Sequence, residues 1–251
     1  MLINKKTKIV ATLGPATNTK ETLTELASSG VNVFRINFSH ADYEDVKKRV
    51  KQIREINQEN GYNVAILADL QGPKLRVGVM EDGVVLEDGD EFIFTTEECV
   101  GNNEKAFMTY QNFPRDVKPG EQILVDDGKL LFEVISTDKK LKVVTKVIVG
   151  GVLSSKKGVN LPNTNISLPA LTEKDKKDAI FALSLDVDWL ALSFVRTPED
   201  LRILRDLIAQ NSTYRVPVIA KIEKPEAVEN IDSLIPYCDG LMVARGDLGV
   251  E

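Results

Sequence analysis

Lys221, Glu223 and Asp247 lie close together near one end of the sequence, in the segments Ala220-Lys221-Ile222-Glu223-Lys224 and Ala244-Arg245-Gly246-Asp247-Leu248-Gly249. Side chains two apart in a strand point to the same side, so Lys221 and Glu223 face one direction. Glu223 and Asp247 are hard oxygen donors of the kind that suit Mg²⁺, which keeps waters and takes a pair of carboxylates plus substrate oxygens. Zinc is excluded by ligand type, and with His40 the only histidine, so are a histidine-based triad and a multi-histidine metal site. An ammonium beside a metal carboxylate suits a transferring phosphoryl group, where catalysis is largely positioning and neutralisation of charge on the equatorial oxygens. Arg35 and Arg76 add fork-shaped donors for phosphate. The Gly246-Asp247-Leu248-Gly249 turn frees backbone amides able to hold a substrate carboxylate. No GxxxxGK[ST] run occurs, which excludes a P-loop. Taken singly, each of these residues also reads as a helix cap or a solvated loop side chain. Lys156-Lys157-Gly158 reads equally as a solvated basic turn, His40 as a hydrogen-bonding loop residue and Trp189 as packing.

What must position these groups is legible as alternation. Apolar, β-branched runs at Lys8–Leu13, Val31–Ile36, Val64–Ala68, Trp189–Phe194, Val218–Ala220 and Leu241–Ala244 predict strands buried on both faces. Amphipathic segments at Thr19–Ser29, Asp42–Asn60, Thr172–Ser184, Pro198–Gln210 and Pro225–Ile235 predict helices between them. Asp42 can cap the second helix and Gly61 close it, with Val46, Val50, Ile53 and Ile56 as its buried stripe. Strand–helix alternation means a parallel sheet, closed as a barrel or open and doubly wound. In a parallel barrel the chemistry gathers at the carboxyl ends of the strands. Those ends carry Thr12 to Pro15; Arg35, Asn37, Ser39 and His40; Asp69; Ser193 and Arg196; Lys221 and Glu223; and Arg245 and Asp247.

The spacing is interrupted once. Strand starts at positions 31 and 64, and at 189 and 218, are separated by about one βαβ unit of roughly 30 residues, but the step from 64 to 189 leaves about 95 residues in excess. They follow Asp69 and change character, with strand-like runs at Val77–Val79, Val84–Leu86, Phe92–Phe94, Ile123–Val125, Leu130–Ile135 and Leu141–Val149, punctuated by Glu-Asp-Gly and Asp-Asp-Gly turn signals. The expected organisation is a first barrel part over 1–72, an inserted β-rich domain over 73–162 and a second barrel part over 163–251.

Composition bounds the partners. The chain has 251 residues and a net charge of −6 from 32 basic and 38 acidic side chains, so neither nucleic acid nor an anionic membrane surface is an expected partner. Its apolar runs stop far short of the roughly 20 residues that span a bilayer, and Met1–Lys8 is too polar to open a signal peptide. A cytoplasmic protein is expected. Cys99 and Cys238 are distant and form no CxxC, so no disulfide framework is expected.

The segments TKIVATLGPAT, VFRINFSHA, DLQGPKLRVG, LVDDGKL, SKKGVNLP, WLALSFVR, VIAKIEKPEAV and DGLMVARGDLGVE, in this order from near Lys8 to the last residue, resemble the pyruvate kinase family. The resemblance implies a TIM-type (β/α)₈ barrel whose inserted β-rich domain is a mobile lid. It implies transfer of the phosphoryl group of phosphoenolpyruvate to ADP, giving pyruvate and ATP in the last step of glycolysis, with Mg²⁺ or Mn²⁺ as cofactor and a homotetramer as the full-length assembly. By that resemblance Lys221 and Arg35 are catalytic, with Lys221, Arg35, Ser193, Gly246 and Asp247 on the substrate and Glu223 and Asp247 on the metal. Asn37, His40, Arg76, Lys157 and Pro15 face the nucleotide, and Asn37, Ser39, Asp69 and Leu70 line the monovalent-cation region.

Two departures from the family pattern matter. Most members read DTKGPEIRTG where this chain reads DLQGPKLRVG, so Lys74 stands in place of an acid and Leu70 in place of a hydroxyl. An ammonium at Lys74 can supply covalently the positive charge of a bound K⁺, and turnover independent of K⁺ is expected. The second is the ending: six strands are counted where a closed barrel takes eight, so a fragment lacking the end of the barrel and the C-terminal domain is expected, inactive or weakly active alone. Two rival readings stand beside this one. A Mg²⁺-dependent lyase acting on phosphoenolpyruvate or a 2-oxo acid needs the same carboxylates but has no use for a β-rich lid. A non-catalytic, ligand-binding chain is the other.

Overall fold

Six short apolar runs become six parallel strands. The computed structural model describes residues 6–250, and its larger sheet places Val10–Thr12, Val33–Asn37, Ala65–Asp69, Trp189–Leu192, Val218–Ile222 and Gly240–Val243 side by side in chain order. Every neighbouring pair is parallel, as the alternation with helices requires. The helices start where their caps are. Asp42 accepts from the Glu44 and Asp45 amides at the head of Tyr43–Asn60, whose buried stripe is Val46, Val50, Ile53 and Ile56. Thr172 and Asp175 form a reciprocal capping box on Glu173–Ser184, and Thr197 and Asp200 another on Pro198–Asn211.

The expectation of strands buried on both faces holds only for the middle of this sheet. Phe34, Ile66, Ala68, Leu190, Leu192 and Ala220 are fully buried, whereas Val10 is 47% exposed on one outer strand and Val243 58% on the other. An outer strand has a neighbour on one side only, so its apolar residues are half covered. The helix expected over Pro225–Ile235 is also corrected: it runs as Pro225–Glu229, Ile231–Leu234 and a 3₁₀ turn Ile235–Tyr237. Asn230 leaves the helical conformation at the break and donates its side-chain amide to the Arg196 carbonyl at 3.2 Å.

The chain divides into two compact units, Met1–Gly72 with Ala170–Ile222 and Glu226–Val243, and Pro73–Pro169 with Glu223–Pro225 and Ala244–Glu251. The second unit is β-rich. Its main sheet has the order Val159–Asn160, Gln122–Val125, Leu130–Thr137, Lys142–Val149, Glu91–Thr95 and Lys105–Phe107, and Val85–Leu86 pairs separately with Gly151–Val152. Phe92, Phe94, Phe113 and Phe132 fill its core with largely edge-on ring contacts, Phe94 and Phe132 having centroids 5.1 Å apart. Gly128, in the Asp-Asp-Gly turn, has φ of 84°, which its lack of a Cβ permits. Val77–Val79 is not a strand; it holds one isolated bridge, Val77 with Met108. The short strands at Lys105–Phe107, Gly151–Val152 and Val159–Asn160 carried no alternation long enough to be read.

One glycine couples the exit of a strand to the capping of a helix. Gly72 has φ of +71°, its amide donates to Asp175 Oδ1 at 3.1 Å, and a Cβ there would sit 2.8 Å from Phe194 Cδ2 and 3.0 Å from Ser193 Cβ. Gly72→Ala is therefore expected to destabilise the fold by about 1–3 kcal/mol through overpacking and a disfavoured φ. A urea midpoint lowered at constant slope reads this out; an unchanged midpoint would show that the contact relaxes freely.

Candidate active site

The polar groups at the strand ends form a continuous row. Arg35 projects from Val33–Asn37 and Asp69 ends the adjacent strand, where Asn37 pairs in register with Asp69. Arg35 Nε donates to Asp69 Oδ2 at 2.6 Å, its Nη2 lies 2.5 Å from the same oxygen, and its Nη1 donates to Thr12 Oγ1 at 2.8 Å. On the other side, Lys221 Nζ stands 3.3 Å from Asp69 Oδ1 and donates to Ser193 Oγ at 2.7 Å. The Ser193 hydroxyl in turn donates to the Leu70 carbonyl at 2.7 Å. Thr12, Arg35, Asp69, Lys221 and Ser193 thus tie together the ends of five strands.

Charge explains what such a row can do. Asp69, with 1% side-chain exposure, is one carboxylate shared by two cations, Arg35 and Lys221. Arg35 keeps 23% of its side-chain surface open and Lys221 10%. A low-dielectric floor under two partly open cations makes an anion-attracting surface in which the donors are already oriented.

The remaining sequence-predicted residues fall as follows. Glu223 directly follows the strand Val218–Ile222 and is 1% exposed. Gly246 and Asp247 lie in a short helix, Arg245–Leu248, rather than an open turn. The intrahelical bonds begin at the Leu248 amide, which donates to the Ala244 carbonyl at 2.9 Å, so the Gly246 and Asp247 amides belong to the first turn, where no intrahelical acceptor exists. Asn37 Oδ1 accepts from the Ser39 amide at 3.0 Å and so caps the 3₁₀ turn Phe38–His40; the His40 side chain lies outside the described residues. Pro15 opens the exposed 3₁₀ turn Pro15–Thr17. Leu70 is fully buried.

In the second unit Arg76 Nη1 donates to the Lys156 carbonyl at 2.8 Å. Lys157 pairs with Asp126 at 2.9 Å, so the basic turn is not merely a solvated charge pair. Hydrogen bonds from Lys129 and from Lys157 hold the Asp126 carboxyl below the usual carboxylate range. Lys74 is exposed.

Sequence reasoning placed Asp69 beside a monovalent cation and did not foresee it as counter-ion to both Arg35 and Lys221. Its position at the carboxyl end of a strand was the available signal; its neighbours depend on strand order.

A family model described as pyruvate kinase, barrel domain, matches residues 4–251. The chain belongs to this family. Its pyruvate kinase fold is an α/β barrel type, as the parallel strands in chain order require. The chain is similar to a pyruvate kinase of Corynebacterium glutamicum, 45% identical over 250 residues, covering 99% of this chain and 52% of that one. It is similar also to one of Bacillus licheniformis, 45% identical over 249 residues, covering 98% of this chain and 43% of that one. Among solved structures, a pyruvate kinase from Cryptosporidium parvum superposes with a TM-score of 0.92 at 36% identity, covering 98% of this chain and 52% of that one. The chain thus spans about half the length of the curated relatives it matches. Among the described residues, no helix is long and apolar enough to cross a membrane.

Proposed function

We propose that the protein carrying this chain is a pyruvate kinase, transferring the phosphoryl group of phosphoenolpyruvate to ADP and releasing pyruvate and ATP in the cytoplasm, as a homotetramer at full length. Family membership supports this, and one observation carries it: the Lys221 ammonium is held by Ser193 Oγ and Asp69 at the carboxyl edge of the sheet, next to Arg35 across the shared carboxylate. Lys221 neutralises charge on the transferring group and on the enolate left behind, and Arg35 takes a phosphate oxygen with its forked donors. Ser193 and Asp69 orient the ammonium before substrate arrives, so little reorganisation is needed in the transition state. First-turn amides of Gly246 and Asp247 receive the substrate carboxylate. Asn37, His40 and Pro15 are nucleotide-facing in this reading, and Arg76 and Lys157, of a lid spanning 73–162, carry the same role by the family resemblance.

The donor chemistry of Glu223 and Asp247, two oxygen ligands with no sulfur or imidazole, fits a hard divalent cation. Those residues would hold Mg²⁺ or Mn²⁺, which when bound supplies positive charge to the phosphoryl oxygens. Mn²⁺ followed by electron paramagnetic resonance is expected to bind the parent protein, and Glu223→Gln or Asp247→Asn to weaken binding by about 10- to 100-fold. Unchanged Mn²⁺ affinity in both variants would remove these residues from the metal site. Pyruvate formed from phosphoenolpyruvate, ADP and Mg²⁺ tests the whole reading. Metal binding without turnover favours a non-catalytic chain, and consumption of phosphoenolpyruvate without ATP favours a lyase.

Lys74 and Leu70 make potassium dispensable in this reading, because a lysine ammonium replaces the charge of the bound ion. Turnover in potassium-free buffer is expected to match that in about 0.1 M KCl at equal ionic strength, with screening held constant. A rise of about tenfold with potassium, about 1.4 kcal/mol off the activation barrier, defeats the substitution.

A further inference from the structure

The helix Glu173–Ser184 turns Lys174, Asp178 and Phe181 to one side, at the i, i+4, i+7 spacing of a single stripe. That stripe meets the loop leaving the strand Val33–Asn37. Lys174 Nζ donates to the Phe38 carbonyl at 2.8 Å and to Asp178 Oδ2 at 2.5 Å. The other Asp178 oxygen accepts from Tyr43 Oη at 2.8 Å, and the Tyr43 ring stacks on Phe181 with centroids 4.0 Å apart and planes 7° apart. Tyr43 is the first residue of the next helix, so the loop between Asn37 and Tyr43 is gripped at both ends by one face.

We propose that Lys174 is a positioning residue for the nucleotide: by clamping the Phe38 carbonyl, with Asp178 and Tyr43 holding its ammonium in place, it sets the loop that presents Asn37, Ser39 and His40. This rests on the nucleotide-facing role of that loop in the pyruvate kinase reading. Lys174 is 51% exposed along its side chain while Asp178 is 3% exposed, so the ammonium also keeps a buried carboxylate paired. What the ammonium does is geometric. Phe38 is fully buried and fixes the inner side of the 3₁₀ turn, while its carbonyl takes the lysine. Burial first, and then the hydrogen bond to Asp178, push the Tyr43 phenol up to about 12, so it stays a donor across the neutral range.

The test uses the protein at its natural length with Lys174→Met, which keeps the stem and removes the ammonium, and Lys174→Arg, which keeps charge and reach. Lys174→Met is expected to raise hydrogen exchange at the amides of residues 38–42 and to raise KM for ADP by about tenfold, the size of one lost charged hydrogen bond, while KM for phosphoenolpyruvate stays unchanged. Lys174→Arg restores both readouts. Tyr43→Phe, which keeps the ring stack, shows a smaller change in the same direction and guards against a misfolded first variant. Unchanged exchange at residues 38–42 overturns the clamp. Faster exchange with an unmoved KM for ADP, or an equal rise in both KM values, overturns the positioning role. A parent protein that forms no pyruvate sinks the kinase reading instead, and the exchange measurement then decides the clamp by itself.

Discussion

Asp69→Ala is expected to lower folding stability by about 3 kcal/mol, the lower end of what breaking a buried ion pair costs. The carboxylate is 1% exposed and receives Arg35 through two nitrogens on Oδ2 and Lys221 on Oδ1. Removing it leaves Arg35 and Lys221 facing each other across the volume it filled, without the carboxylate they shared. The lower end is the right one because Arg35 retains 23% of its surface and can turn toward water, whereas Lys221, at 10%, has less room to do so. Asp69→Asn fills the same space and keeps an acceptor, so it is expected to lose less. Urea unfolding of both variants beside the parent checks the ordering. A loss under about 1 kcal/mol for Asp69→Ala would mean that the row behaves as a solvated surface pair, whose usual worth is that small.

Lys221→Met is expected to cut the rate of pyruvate formation by about 10²–10³-fold with little effect on KM for phosphoenolpyruvate, the signature of a donor used mainly in the transition state. The methionine keeps the length and removes the ammonium, and Asp69 keeps Arg35 as a partner, so the fold is expected to survive. Ser193→Ala leaves the ammonium and removes the hydroxyl that orients it. Its effect is expected to be about tenfold and in the same direction, because imprecise positioning costs less than absence. Steady-state kinetics on the two variants separates them. A Lys221→Met enzyme with near-parental kcat would deny Lys221 its chemical role.

The sequence was most legible where physical causes are local. Thr172 with Asp175 and Asp42 with the amides after it mark helix starts because a cap bonds residues only two or three positions away. The buried stripe of Tyr43–Asn60 could be read because a helix repeats its own geometry. The stretch over Pro225–Ile235 was misread as one helix; at its break Asn230 bonds to Arg196, 34 positions earlier, a contact that local periodicity does not report. Exposure of the outer strands was misread for a related cause: an apolar run reports what its residues prefer, not whether a neighbour covers them.

The row of site groups divides the same way. Residue types, and the expectation that they stand at strand ends, were read from sequence alone, since alternation of strand and helix sends every strand's carboxyl end to one side. Which charges touch was decided only by the tertiary structure. Arg35 and Asp69 are 34 positions apart and Ser193 and Lys221 are 28 apart, and their contacts exist because the sheet sets the strands that carry or adjoin them side by side. Asp69 shares its carboxylate between two cations because its strand lies between theirs, and strand order is a property of the whole fold.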